Sequence, residues 1–327
     1  MRPDDERGLW VISRRVFLRS AAAVALTSLS CTPGNLSTRN TRPVRFGMVT
    51  DCHYADADPV GTRFYRESRG KLSECVDRMN AEGVDFLLEL GDFKDENRPP
   101  VEEKTLAYLR EIEAVFQRFQ GPRYHVLGNH DMDSISKQQF LSRVENAGIG
   151  AGRSYYSFDA RSLHCIVLDA NYRSDGSDYD HGNFDWTDAS VPARELDWLR
   201  QDLAASHGPV IVFIHQLLDG KGAVYVKNAS EVRRILEASG RALTVFQGHH
   251  HPGAYSQING IHYYTLRGMI EGHGEDNNAY AIVEVHPDLN VTVTGYRKAP
   301  SMELSHAAVA RGKPSPRPSA LTMPPER

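Results

Sequence analysis

The 327-residue chain lacks the features that mark several protein classes. Its four cysteines show no CxxC spacing, so the sequence gives no support to a zinc knuckle or a thiol redox motif. A disulfide framework is also not expected, because a chain of this length builds a large core without one. The formal net charge is -4, which leaves no excess of positive charge for binding nucleic acid. The apolar run at 21–29 is too short to span a bilayer as a helix.

The N-terminal residues 1–31 predict an export signal of the twin-arginine type. The segment SRRVFL at 13–18 precedes the alanine-rich apolar run. The alternative is a basic amphipathic arm with an accidental arginine pair. The segment SLSC at 28–31 resembles a lipoprotein cleavage site, and a lipid anchor at Cys31 is as well supported as its absence. We therefore expect export across the bacterial cytoplasmic membrane into the periplasm or cell envelope, with membrane anchoring through Cys31 left open.

Beyond the signal, the chain divides by composition. Residues 32–43 predict a polar linker, 44–298 a catalytic domain, and 299–327 a disordered, proline-rich tail. Within the domain, short apolar runs alternate with helical patterns, which predicts parallel β-α-β units. Helices are expected at 68–82, 101–119, 192–206 and 230–239.

Five short blocks of metal-binding residue types each follow the end of an apolar, strand-like run. They are Asp51-Cys52-His53, Gly91-Asp92, Gly128-Asn129-His130-Asp131, His215 and Gly248-His249-His250-His251. Ligands and catalytic groups gather at strand ends in α/β folds. Carboxylate, amide and imidazole donors suit Mn, Fe or Zn and need no thiolate. Asp92 stands alone at its strand end and is the natural bridge between two cations about 3.5–4 Å apart.

Each block alone also has an ordinary structural explanation. Asp-x-His and Gly-Asp are common turns, Asn-His can cap a helix, and a lone histidine is usually satisfied within the protein. A histidine tract can bind metal adventitiously. The site would be absent only if all five ordinary explanations were true together. The shared order of the blocks therefore favours a two-metal centre. Such a centre lowers the pKa of a shared water and polarises a phosphoryl oxygen.

The ordered pattern D-x-H, GD, GNHD, H, GHxH over 44–297 resembles the calcineurin-like metallophosphoesterase superfamily. The resemblance implies an α/β fold, a two-sheet β-sandwich flanked by helices, with two divalent or trivalent metal ions. It implies hydrolysis of a phosphoric ester bond in a small substrate. His130 would then contact the phosphate and protonate the leaving group, with Asp131 orienting it. The implied ligands are Asp51, His53, Asp92 and His251 for one metal, and Asp92, Asn129, His215 and His249 for the other.

The segments at 248–251, 260–263 and 265–271 are similar to those of manganese-dependent ADP-ribose/CDP-alcohol diphosphatases. That group often has glutamine where His53 stands, so the substrate is expected to differ. We expect hydrolysis of a phosphomonoester or phosphodiester. The alternatives are a nucleoside-diphosphate-type pyrophosphatase, a non-catalytic metal-binding module, and a nuclease, which the acidic balance disfavours. His250 is expected to point away from the metals.

The polar loop at 171–188 is long for a compact domain, and such loops are usually functional or mobile. Its aromatic residues either stack on a base or sugar or close a local core, and the sequence favours neither. They are Tyr172, Tyr179, Phe184 and Trp186. Substrate specificity is also expected in the loops at 219–228 and 271–278. The sequence leaves the metal identity, the type of phosphorus bond and the oligomeric state open.

Overall fold

The computed structural model describes residues 42–306, in which twelve strands form two six-stranded sheets. The first sheet has the order β12-β11-β10-β1-β2-β3. Its strands are β1 (Val44–Val49), β2 (Phe86–Glu89), β3 (Arg123–His125), β10 (Ala279–Val285), β11 (Val291–Arg297) and β12 (Met302–Leu304). Strands β1, β2 and β3 run parallel, whereas β10 pairs antiparallel with β1. The carboxyl ends of β1 to β3 therefore lie along one edge.

The second sheet has the order β4-β5-β6-β7-β9-β8. Its strands are β4 (Tyr156–Ala160), β5 (Leu163–Val167), β6 (Val210–Phe213), β7 (Ala242–Gln247), β8 (Ala254–Ile258) and β9 (Ile261–Thr265). Strands β5, β6, β7 and β9 run parallel to one another. The carboxyl ends of β6 and β7 are thus neighbours, which brings the residues that follow them together.

Five α-helices flank the sheets within the described range. They are α1 (Ser68–Glu82), α2 (Glu102–Phe116), α3 (Lys137–Leu141), α4 (Ala193–Ala205) and α5 (Ala229–Ser239). The buried faces of α1 and α2 share one apolar cluster with residues of the first sheet, and those of α4 and α5 share another with the second sheet. The expected two-sheet sandwich flanked by helices is confirmed. None of these helices is long and apolar enough to cross a membrane.

An aromatic cluster lies between the two sheets. The fully buried ring of Phe46 on β1 stacks on Phe86 of β2 with the ring centroids 4.8 Å apart. The same ring meets Phe213 of β6 edge-on at 5.5 Å and Phe246 of β7 at 5.8 Å. Edge-to-face contacts at such separations are favoured by the ring quadrupole and fix ring orientation. Phe46 therefore joins β1, β2, β6 and β7, the strands that lead into four of the five blocks.

The ends of the chain require one correction. Part of the tail predicted to be disordered from 299 is a strand instead, because Met302–Leu304 pairs antiparallel with β11 and buries Leu304. Three short elements, α3, β8 and β12, were not predicted. The predicted export signal, the proposed anchor at Cys31 and the last part of the proline-rich tail lie outside residues 42–306.

We predict that Phe46→Ala lowers the free energy of unfolding by about 3–5 kcal/mol, because truncating a buried phenylalanine removes its contacts and leaves a cavity. Urea titration followed by circular dichroism measures the change. Leu289→Ala is the matched control, since Leu289 is 40% exposed and its truncation should stay within about 0.5 kcal/mol of the parent protein. Similar losses in both variants would contradict this account of the core.

Candidate metal centre

The five blocks meet where the two sheets face each other. Asp51, Asp92 and Asn129 follow β1, β2 and β3 of the first sheet, and His215 follows β6 of the second. The histidines after β7 complete the set, so neither sheet holds all the side chains. The structure brings the predicted ligands into groups whose donor atoms lie within 4.8 Å of one another. These groups include Asp51 with His53 and His251, and Asp92 with His215 and His249.

In the first group, two imidazole nitrogens face each other. The Nε2 atoms of His53 and His251 are 3.2 Å apart, and His251 Nε2 lies 3.3 Å from Asp51 Oδ1. The Nδ1 atom of His53 is 3.1 Å from Asp95 Oδ2, and that of His251 is 2.6 Å from Glu271 Oε1. A carboxylate only accepts, so both Nδ1 atoms carry the proton and donate. When both rings are neutral, both Nε2 atoms present lone pairs to one point, which suits a cation.

In the second group, Asp92 occupies a shared position. Its Oδ2 lies 3.1 Å from His215 Nε2 and 3.5 Å from His53 Nε2, while its Oδ1 accepts from the backbone N–H of His130 at 2.8 Å. The Nδ1–H of His215 donates to the carbonyl of Leu90 at 2.8 Å, which directs the Nε2 lone pair into the site. One oxygen of Asp92 thus faces both groups, as a carboxylate bridging two cations requires.

Several buried atoms at the centre have no hydrogen-bond partner among the described residues. They are Asp51 Oδ1, Asn129 Oδ1, His215 Nε2 and His249 Nε2. Buried polar groups are nearly always paired, because an unpaired one retains the full cost of desolvation. The oxygens are electron-pair donors, and the two nitrogens are the atoms that a neutral imidazole offers to a metal. The residues present therefore fit two metal ions.

The charges of the site favour bound cations. Burial opposes protonation, but Asp51 and Glu271 raise the pKa of His251 to about 9. Burial likewise opposes the effect of Asp92 and Asp51, which raise the pKa of His215 to about 9. His249 differs, because burial and the neighbouring His215 lower its pKa to about 3 and keep it in the neutral form that binds metals. The carboxylates thus stabilise positive charge where the two cations would lie.

The backbone carrying the ligands is strained. Asp51, His53, Asp92 and His249 have φ values of 53°, 46°, 57° and 64°. Non-glycine residues seldom adopt this left-handed conformation, and such strain clusters at functional sites. Backbone bonds maintain it, since Asp51 N donates to Gly91 O at 3.0 Å and His53 N donates to Asp92 O at 2.8 Å.

Glycine permits the close approach of the ligand-bearing turns. A Cβ at Gly128 would lie 2.1 Å from the backbone nitrogen of Asp92. A Cβ at Gly248 would lie 2.1 Å from Thr50 Oγ1, beside the Asp51 turn. Neither contact is tolerable, so any side chain at these positions would push the ligand-bearing turns apart.

The expected contact between Asp131 and His130 is not present. The Asp131 carboxylate accepts backbone N–H bonds from Gly128 at 2.8 Å, Asp92 at 3.1 Å and Phe93 at 3.0 Å, so it holds the turn together. His130 Nδ1 instead donates to Asp133 Oδ2 at 2.7 Å. The 3₁₀ turn at Asn129–Met132 places residues three apart side by side, which makes Asp133 the orienting carboxylate.

Three supporting residues were missed in the sequence. Asp95 and Glu271 orient the two histidines of the first group. Metal-binding histidines typically donate their Nδ1–H to a carboxylate in this way, which leaves Nε2 for the metal. Lys71 is buried on α1 and donates to the backbone oxygens of Met269 at 3.0 Å and Gly272 at 2.7 Å, which fixes the segment carrying Glu271. His250 belongs to none of the metal-binding groups found among residues 42–306.

This fold and these donor groups are those expected of a hydrolase that acts on phosphoric ester bonds at a two-metal centre. Residues 44–253 match the sequence profile of the calcineurin-like phosphoesterases, and the chain belongs to this family. The predicted family and enzyme class are therefore confirmed.

The chain is similar to proteins named manganese-dependent ADP-ribose/CDP-alcohol diphosphatase. The one from Oryza sativa subsp. japonica is 26% identical over 306 residues, covering 80% of this chain and 94% of the relative. The one from Homo sapiens is 24% identical over 315 residues, covering 78% of this chain and 91% of the relative. The crystal structure of a dimetal phosphatase from Danio rerio superposes with a TM-score of 0.71 at 22% identity, covering 81% of this chain and 100% of that one. That superposition supports the fold.

We predict that Glu271→Gln weakens binding of Mn²⁺ by about 10- to 100-fold, because a neutral amide no longer fixes and strengthens His251 as a ligand. Isothermal titration calorimetry of the metal-free protein measures the affinity. Glu275→Gln is the control, since Glu275 is exposed on the same loop and should leave the affinity unchanged. Equal affinities in the parent protein and the Glu271 variant would contradict the assigned role.

Proposed function

We propose that the protein is an exported phosphoesterase that hydrolyses a phosphomonoester or phosphodiester of a small molecule. The observation that supports it most directly is Asp92 Oδ2, which faces both histidine groups across 3.1 and 3.5 Å. Mn²⁺ is the first choice of metal because the named relatives are manganese-dependent, with Fe and Zn as alternatives that the donor set also suits. Export rests on the arginine pair and apolar run within 1–31.

The metal-binding residues would divide as the donor groups do. Asp51, His53 and His251 would hold one ion, and His215 and His249 the other, with Asp92 shared. Asn129, whose buried Oδ1 has no hydrogen-bond partner among the described residues, would join the second ion, as the family resemblance implies. When bound, the two ions supply Lewis acidity toward phosphoryl oxygens and lower the pKa of a water at the site.

His130 would protonate the leaving group. Burial opposes protonation, but Asp133 and Asp92 raise the pKa of His130 to about 10, which favours the protonated imidazole that a general acid requires. Its Nδ1–H is engaged by Asp133, which leaves the Nε2–H to donate to the departing oxygen. The side chain is 29% exposed and so remains accessible from the solvent side of the centre.

A second candidate reaction is hydrolysis of a pyrophosphate bond. The named relatives from Oryza sativa and Homo sapiens are diphosphatases, and the chain aligns with most of their length. The same donor set serves either bond, because both reactions develop charge on phosphoryl oxygens. A panel of monoesters, diesters and nucleoside diphosphate conjugates distinguishes them.

We predict that the protein loaded with Mn²⁺ hydrolyses part of this panel and that chelation abolishes the activity. Asp92→Asn should remove activity and weaken both metal sites, because a neutral amide is a poor bridging ligand. Phosphate release and bound metal per chain are measured together. Asp197→Asn, an exposed position on α4, serves as the control. Full activity in the Asp92 variant, or none in the loaded parent protein, would reject the proposal.

We predict that Asp133→Asn impairs hydrolysis of an alkyl phosphate at least 10-fold more than that of p-nitrophenyl phosphate, because only the poor leaving group needs a strong acid. Bound metal should stay unchanged, since Asp133 contacts His130 and none of the predicted ligands. Asp95→Asn offers the contrast and should lower metal affinity through His53. Equal losses on both substrates in the Asp133 variant would show that it does not act through the leaving group.

A further inference from the structure

One aromatic ring of the 171–188 loop stands exposed at the metal centre. Trp186 is 45% exposed, and its ring centroid lies 5.7 Å from that of His249 with the ring planes at 60°. The His249 ring in turn lies 5.1 Å from that of His215. Trp186 therefore borders the second metal-binding group while nearly half of its surface faces solvent.

The other three aromatic residues of the loop are already occupied. Tyr179 is fully buried and stacks on Phe184 with the centroids 4.1 Å apart. Tyr172 is 2% exposed, and Lys137 Nζ lies 3.6 Å above its ring centroid. Tyr179 and Phe184 thus belong to the local core that the sequence left as an alternative, and Tyr172 is buried apart from it. Trp186 alone among them is free to contact a ligand.

The loop that carries Trp186 is anchored at several points before the tryptophan. Lys137 Nζ donates to Asp178 Oδ1 at 2.8 Å and to the carbonyl of Asn171 at 3.1 Å. The N–H of Gly182 donates to Met132 O at 2.9 Å, which joins the loop to the His130 turn. Beside the tryptophan, the Tyr179 hydroxyl donates to Asp185 O at 3.2 Å. An anchored backbone next to Trp186 lowers the conformational entropy that is lost when a ligand binds there.

We propose that Trp186 is a specificity-determining residue that stacks on a nucleobase carried by the phosphorylated substrate. The proposal rests on the proposed function, since it concerns the same centre. An indole offers a large flat apolar face, and aromatic side chains with such faces bind bases largely independently of base identity. A phosphate held at the second group would place its substituent next to this ring. The substrate class is therefore a nucleotide or nucleotide conjugate.

The initial change in fluorescence on mixing ligand with the full chain loaded with Mn²⁺ tests the contact before turnover consumes the ligand. The ligands are 5′-AMP and ribose 5-phosphate, which differ only in the base. We predict that 5′-AMP quenches the parent protein and Trp198→Phe but not Trp186→Phe. Trp198 is a matched control because it is half-buried on α4 against Tyr155, with the centroids 5.0 Å apart.

Trp186→Ala should bind 5′-AMP roughly 10-fold more weakly, the loss expected for one base–aromatic stack, and ribose 5-phosphate as before. Trp186→Phe should recover part of the affinity. An unchanged preference for 5′-AMP over ribose 5-phosphate in Trp186→Ala would overturn the proposal, as would equal weakening of both. Base-dependent quenching through Trp186 without hydrolysis of any phosphoester would support the subsite and reject the proposed activity instead.

Discussion

The gathering of lone pairs and carboxylates in a buried space is the constraint on which the rest of the structure depends. His53 and His251 present nitrogens 3.2 Å apart, with Asp51 and Asp92 beside them. Without positive charge, such an arrangement repels itself and leaves desolvated atoms unpaired. Cations resolve both problems at once, so binding them should also stabilise the fold, since they bind the native state in preference to the unfolded one.

Assembly of the centre and packing of the sheets are the same event. The first sheet contributes Asp51, Asp92 and Asn129, and the second contributes the histidines after β6 and β7. Their positions relative to one another depend on the aromatic contacts of Phe46 across the sheets. Because interiors are close-packed and transmit strain, a small shift between the sheets changes donor distances in both groups.

The strand ends were readable from the sequence because apolar runs mark buried strands and the ligand types follow them directly. The carboxylate that orients His130 could not be identified from the sequence, because Asp131 and Asp133 are both close to it along the chain. Only the 3₁₀ turn determines which of the two contacts the imidazole. Strand β8 was missed because it is mostly exposed and has no apolar run, although Asn259-Gly260 after it is a strong hairpin signal. Which aromatic side chains of the 171–188 loop are buried depends on tertiary contacts, such as Tyr179 with Phe184, and the hydrophobic periodicity of the sequence does not indicate these.

The close approach at Gly128 and Gly248 has a consequence for how this centre tolerates change. Each position offers no ligand atom, yet an added methyl group would lie 2.1 Å from its neighbour across the gap between turns. The distance between the ligand-bearing segments is thus set by the absence of side chains as much as by the ligands. In a random mutagenesis screen scored by activity, substitutions at these two glycines would lower activity as much as substitutions of the metal-binding residues. Added metal would not restore the activity of either glycine variant.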